Sequence, residues 1–292
     1  MRGCILVLLI LSVTLVYRVP QTKSGELPII EWKVFYIQAI YNKPGTGEGF
    51  ADELFRFYRE HLPEYTHQAE GMPIKRIFHD MANTHTGIYC CPGKTPVSPE
   101  LKGKVIPSNS SLELAPPGIV VRKRDVATLF SGGKNVSVAD LVENKGLRTS
   151  WVRGATYHPE IRKVIERNEE LTNVTMQATV IGEFQEMLLR GNIDFYVSHA
   201  LDFTWHSNNN LIVRDELTFL QVAEAAGTVS TLAFCNNTPE GHEVISKINA
   251  MLLTDEFKIF RNDIINRYYP PSLVDHFLEL HSKPIPEYAW PE

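Results

Sequence analysis

Apolar positions along the chain fall into two spacings, one suited to strands and one to helices. Residues 32–41 (WKVFYIQAIY) are aromatic and β-branched, bounded by Pro28 and by Asn42-Lys43-Pro44-Gly45, which predicts a strand. Gly47-Glu48-Gly49 opens a helix with Phe50, Leu54, Phe57 and Tyr58 at helical spacing, ended by Pro63. Ile74, Ile77, Phe78 and Met81 predict a second helix running to Asn83. Residues 87–91 predict a short buried strand stopped by Pro92-Gly93, and residues 119–121 another, before Arg122-Lys123-Arg124.

The pattern then restarts. Residues 138–141 predict a helical turn and 146–151 a strand. Gly154-Ala155-Thr156 leads into a helix carrying Ile161, Val164 and Ile165. Residues 179–189 predict a helix with Ile181, Phe184 and Leu188, ended by Arg190-Gly191-Asn192, and 193–197 a strand. Residues 231–234 predict a strand, followed through Pro239-Glu240-Gly241 by a helix with Val244, Ile245, Ile248, Met251 and Leu252. A last helix carries Phe257, Phe260, Ile264 and Ile265 and stops before Pro270-Pro271. Strands alternating with helices of this length indicate parallel α/β sheets.

Composition narrows the class. The 292 residues are 43% hydrophobic and 22% charged, enough apolar material for one large core or two modest ones. Lys+Arg is 29 against Asp+Glu 34, and no basic stripe with interleaved aromatics occurs, which argues against nucleic acid as a partner. Arg2, an apolar run from 4 to 16, and Tyr17-Arg18-Val19-Pro20 match a secretory signal over residues 1–25, retained as an anchor if it is not cleaved. Beyond it, 26 basic and 34 acidic residues remain, a net charge of −8. The expected body is a periplasmic or secreted, monomeric protein.

Candidate chemistry is sparse. Gly45-x-Gly47-x-Gly49 lacks the Gly-Lys-Ser/Thr of a phosphate-binding loop and reads as a turn. His79, Asp80 and His85 do not share a helix face, so no metal site is expected. No G-x-S-x-G, H-E-x-x-H or S-x-x-K occurs. Neither a cofactor nor an enzymatic activity is expected. Asn109, Asn135, Asn173 and Asn236 stand in N-x-S/T sequons. Cys90, Cys91 and Cys235 fit one disulfide plus one thiol, or three buried thiols.

Four segments, taken in order, resemble family 3 of the extracytoplasmic solute-binding proteins. They are Gly-Glu-Gly-Phe-Ala-Asp at 47–52, Val138-Ala139-Asp140-Leu141 followed by a strand and Gly154, Leu188-Leu189-Arg190-Gly191-Asn192-Ile193-Asp194, and Leu232-Ala233-Phe234 with Pro239-Glu240-Gly241 and Lys247-Ile248-Asn249. The likeness spans about residues 28–270. Cys90 before Lys94-Thr95-Pro96 is also similar to a subgroup of that family. The resemblance implies an α/β, two-lobe type II periplasmic-binding-protein fold with a two-stranded hinge. Residues 26–121 would form the first part of lobe 1, 122–230 lobe 2, and 231–292 the return to lobe 1. A small polar ligand would be clamped between the lobes, with a membrane permease (as in ABC transport) or a sensor as partner.

Departures from the family pattern limit what carries over. Its amino-acid binders hold the ligand carboxylate with an arginine in a T-x-x-R stretch, but residues 94–101 here (KTPVSPEL) contain none. The aspartate that holds the ligand ammonium is replaced by Ser198 and His199. The resemblance implies cleft residues Tyr36, Gln38, Tyr41, Tyr89 and Thr95 from the first lobe, and Arg153, Thr156, Tyr157 and His199 from the second. It also implies a bridge from Cys235 to Cys91 or Cys90, with Cys91 favoured because position 90 matches a cleft-facing one. A fold of this kind that has lost its solute and binds another protein is the alternative expectation.

Overall fold

The computed structural model describes residues 27–34, 49–94, 99–129, 136–143, 146–152, 157–168, 170–177, 182–225, 227–283, 288 and 290. Two sheets organise them. The first takes strands β1 (Ile29–Val34), β2 (Thr66–Gly71), β3 (Ile88–Lys94), β4 (Val105–Pro107), β5 (Leu112–Leu114) and β11 (Val229–Asn236). The second takes β6 (Gly118–Arg122), β7 (Thr149–Val152), β8 (Val174–Gln177), β9 (Phe195–Ser198) and β10 (Leu217–Gln221). Their orders are β2-β1-β3-β11-β4, with β5 also on β11, and β10-β6-β9-β7-β8.

Helices α1 (Phe50–Glu60) and α2 (Ile74–Asn83) belong to the first half of the chain. Helices α3 (Val126–Leu129), α4 (Val138–Glu143), α5 (Pro159–Asn168), α6 (Gly182–Leu189), α7 (Ala200–Asn209) and α8 (Leu211–Glu216) accompany the second sheet. The chain ends with α9 (Pro239–Leu252), α10 (Asp255–Tyr268) and α11 (Pro271–Ser282). Among the described residues, no helix is long and apolar enough to cross a membrane.

Strand alternation sorts the first sheet's residues onto two faces. Trp32 and Cys90 stand opposite each other, as do Cys90 and Cys235, and all three are buried. Trp32 packs against Phe55 and Tyr58 of α1, with ring centroids 5.4 and 6.2 Å away. The other face carries Phe234, which meets Phe78 of α2 edge-on at 5.6 Å. Buried Lys33 reaches Glu31 and Glu70 at 2.8 Å each and lies 5.0 Å from the Tyr89 ring centroid. Burial works against its charge, but the hydrogen bonds from the two carboxylates outweigh it and raise its pKa.

Strand β2 (THQAEG) carries almost no apolar content and sits at the sheet edge, paired along its whole length with β1. His67 pins it: Nδ1 accepts from the Trp32 indole at 3.0 Å, and Nε2 donates to the Leu62 carbonyl at 3.0 Å. Strand β3 continues through Pro92-Gly93 rather than stopping there. Its register against β11 shifts between Phe234 and Leu232, so three steps on β3 meet two on β11. Such a bulge accommodates a proline without breaking the ladder.

The second sheet is held at its centre by Asp194. Arg122 donates to Asp194 Oδ1 at 2.7 Å, and Arg148 donates to Oδ2 from its main chain at 2.8 Å and its side chain at 3.2 Å. Arg122 also donates to the carbonyls of Leu188 and Ile193 and pairs with Asp125. Burial raises the Asp194 pKa, but these guanidinium bonds win and the net direction is down. Just before it, Gly191 at φ 76° ends α6. Gly191 N–H bonds to Leu188 and Asn192 N–H to Met187, the paired closure that favours glycine at this position.

Helix α7 touches both halves. Ala200 and Leu201 join the first core, while Phe203 joins a separate cluster on the second sheet with Val120, Phe184 and Tyr196. Two sequon asparagines are structural. Asn173 donates to Val142 and Leu147, and fully buried Asn236 accepts from Tyr89 N–H and donates to Thr84 and Gly87.

Candidate functional site

Strands β2, β1 and β3 run parallel, as do β7, β8 and β9, so in each sheet their carboxyl ends share one edge. In folds of this kind ligands bind where such edges face each other. The chain leaving β1 enters α1 at Gly49, whose N–H donates to Asp52 Oδ2 at 3.3 Å. The aspartate of the 47–52 motif therefore closes the first turn of the helix.

On the second sheet, β7 and β9 are neighbours, paired at Thr149 and Phe195. Tyr157 follows β7 and meets Trp151 edge-on at 5.9 Å, with its ring against the second core. His199 follows β9 directly and is the residue preceding the first turn of α7. Tyr157 thus lies five residues past the end of β7, and His199 one residue past the end of β9. Tyr36, Gln38, Tyr41, Thr95, Arg153 and Thr156 lie outside the described residues. Tyr89 sits elsewhere. It is the second residue of β3, five before the carboxyl end, or roughly 16 Å at strand rise. There it covers Lys33, and its hydroxyl pKa is pushed up by burial and by Glu31.

One residue at this edge escaped the sequence reading. Asp202, on the first turn of α7, accepts from Ser198 Oγ at 3.0 Å and lies 3.7 Å from His206 Nε2. Burial pushes the Asp202 carboxyl up to about 6 and the His206 imidazole down to about 4. Near pH 7 the pair is a carboxylate beside a neutral imidazole, directly behind Ser198 and His199. The i,i+4 spacing of Ser198, Asp202 and His206 was the available signal.

The disulfide joins Cys90 to Cys235, with Cα atoms 4.1 Å apart and a sequence separation of 145. The favoured partner was Cys91, and the structure corrects it. Cys90 faces Cys235 directly across the strands, whereas Cys91 faces Phe234 on the opposite face. Cys91 is buried outside the bridge. Among the described residues, no group of three or more His, Cys, Asp or Glu could hold a metal ion.

No protein-family model matches the sequence, and no curated protein does. Solved structures match in fold. A reconstructed ancestral cationic amino acid solute-binding protein superposes with a TM-score of 0.60 at 15% identity, covering 83% of this chain and 96% of its own. A structure from Streptococcus mutans, described for glutathione import and a cystine ABC importer, gives 0.59 at 15% identity, with 84% and 97% covered. A probable amino-acid ABC transporter extracellular-binding protein from Bacillus subtilis gives 0.58 at 15%, with 81% and 98% covered. The chain has the two-lobe, type II periplasmic-binding-protein fold.

Proposed function

We propose that the chain is an exported solute-binding protein that closes its two lobes around a small polar ligand and catalyses no reaction. The observation that supports this is architectural: each sheet presents the carboxyl ends of parallel strands, and two crossovers, after β5 and after β10, join the sheets. We draw the lobes by sheet membership, with the second lobe as residues 118–224, so that β6 belongs to it rather than to the first part of lobe 1. The proposed ligand set is Tyr36, Gln38, Tyr41 and Thr95 from lobe 1 and Arg153, Thr156, Tyr157 and His199 from lobe 2. Tyr89 is left out, because Lys33 and Glu31 occupy it. Neighbours of the same fold work with amino acids and ABC importers, which supports a polar ligand and a permease as partner.

A thermal-shift screen of the exported chain against amino acids, polyamines, sugars and nucleosides tests the reading. A stabilising ligand whose affinity falls about 10- to 100-fold in Arg153→Ala supports it, that being the range for one charge-assisted hydrogen bond. The absence of arginine from 94–101 and of aspartate from 198 and 199 favours a second reading, a protein-interaction module of the same fold. A chain that no solute stabilises, yet that forms a defined complex with a membrane protein, would select it.

A further inference from the structure

Helix α7 is held from both halves of the molecule. Ala200, Leu201 and Trp205 pack on the first core, Phe203 joins the cluster on the second sheet, and Asn208 Nδ2 donates to the Arg267 carbonyl of α10 at 3.4 Å. Ser198, Asp202 and His206 follow one another at i,i+4, the first at the end of β9 and the others on α7. The side chains of Asp202 and His206 are only 11% and 12% exposed, and Asp202 Oδ1 stands 3.7 Å from His206 Nε2, too far for a hydrogen bond. The Ser198 hydroxyl donates to Asp202 Oδ2 at 3.0 Å.

The groups that face the pair leave it without a compensating cation. Tyr196 on β9 lies close enough to feel the Asp202 charge, which together with burial keeps its hydroxyl proton in place, and Gln185 of α6 stands beside Tyr196. His199 directly precedes α7. On α8, exposed Arg214 pairs with Asp215. On α10, Arg267 is turned to Glu53 and Asp263, and Tyr268 donates to Glu53. Among the described residues, no guanidinium or ammonium pairs with Asp202. A buried carboxylate without a cation favours its protonated form, and a buried imidazole its neutral form. Acid therefore acts on the two groups in opposite senses.

We propose that Asp202 and His206 form a compensating proton pair that holds the grip of α7 on both halves nearly constant as the surroundings turn from neutral to mildly acidic. The carboxylate takes up a proton more readily in the folded chain than in the unfolded one, and the imidazole less readily, so the two responses oppose each other. Either group alone would make the helix, and with it His199 at its start, respond to acid. The pair acts in the chain without ligand, so the proposal stands or falls separately from the solute-binding reading.

Asp202 is held at about 6 against an ordinary 3.8, and His206 at about 4 against 6.5. Between about pH 7.5 and about pH 5, Asp202 should therefore favour the folded state about 10-fold and His206 disfavour it about 30-fold, a net change of about 3-fold. The test is native-state hydrogen exchange of the full chain without ligand at both pH values, with each rate divided by the intrinsic rate of an open amide. Protection at amides 203–208 is compared between variant and parent, so that the contributions of His67 and His281 cancel. Over this pH step, Asp202→Asn should lose about 10-fold more protection than the parent and His206→Gln should gain about 30-fold over it, while the double variant should track the parent to within about 3-fold. Single variants that follow the parent, or a double variant as far from it as His206→Gln, overturn the proposal. An NMR titration of His206 in the parent needs no variant: the imidazole should still be neutral at about pH 5.5, and a midpoint near the ordinary 6.5 also overturns the proposal.

Discussion

Two histidines, half-buried His206 and buried His281, are held near pKa 4 by desolvation, well below the ordinary 6.5. A depressed imidazole contributes stability that is complete above pH 6.5 and is lost as the pH falls towards 4, because the unfolded chain takes up the proton first. Asp202 works in the opposite sense. Its carboxyl is held up at about 6, so between pH 6 and 3.8 acid favours the folded state at this site. Next to His206 the two largely offset, which leaves His281, and His67 depressed in the same direction by burial, as the acid-sensitive imidazoles. The unfolding free energy from denaturant titration should therefore fall between pH 6.5 and 4, by about 1.4 kcal/mol per pH unit at most for each such imidazole. His281→Gln should flatten that slope while lowering stability at pH 7. Asp194 gives a sharper residue-scale expectation. Asp194→Ala leaves Arg122 buried without its main carboxylate and should cost about 3 kcal/mol, read from urea unfolding. Asp194 was visible in the sequence as a motif residue, because its spacing from Gly191 marks the step from α6 to β9. Asp202 carried only a local i,i+4 signal to Ser198 and His206, and nothing in the sequence marked that spacing as buried.

At the scale of elements, legibility followed apolar content on one face. The apolar positions expected on α1 and α9 are all buried, as are Ile77, Phe78 and Met81 of α2 and Phe257, Ile264 and Ile265 of α10, with Phe260 half-buried. Helix α7 meets both cores, so its apolar residues are spread around it and no stripe stands out. Strand β2 is polar because it is an edge, and only its pairing with β1 makes it a strand. Helix α11 was missed because Pro270-Pro271 reads as a stop, while Pro271 in fact opens the next helix, a position that suits proline. The bridge between β3 and β11 carries its own expectation. Removing it with Cys90→Ser and Cys235→Ser should lower stability by about 4–5 kcal/mol in the chain-entropy treatment of a loop this long, less any relief in the native sheet. A change under about 1 kcal/mol in calorimetry would mean that the ladder alone holds these strands.

For the whole molecule, the four motifs that carried the family resemblance all lie at steps between elements: a helix start, a helix stop, the restart of the second sheet and the return to the first. That is why the two-sheet plan could be read from them. The ligand set could not, because specificity in such a fold rests on side chains at loop positions, where no periodicity constrains the residue type. Closure itself is measurable. Scattering from the chain should show a smaller radius of gyration with a stabilising ligand than without one, and two identical profiles would mean that the lobes do not move on binding.

The second sheet is an insertion within the first, and this orders events during synthesis. Cys90 leaves the ribosome with Cys91 beside it, and Cys235 follows at a sequence separation of 145. During that interval a complete second lobe emerges, and two adjacent thiols compete for one late partner. Only the pairing of β3 with β11 tells them apart, by turning Cys91 to the face opposite Cys235. Oxidation that runs ahead of strand pairing should trap the wrong isomer. Cys91→Ala should therefore raise the yield of correctly bridged protein in oxidative refolding, even though it removes a buried side chain from the finished structure.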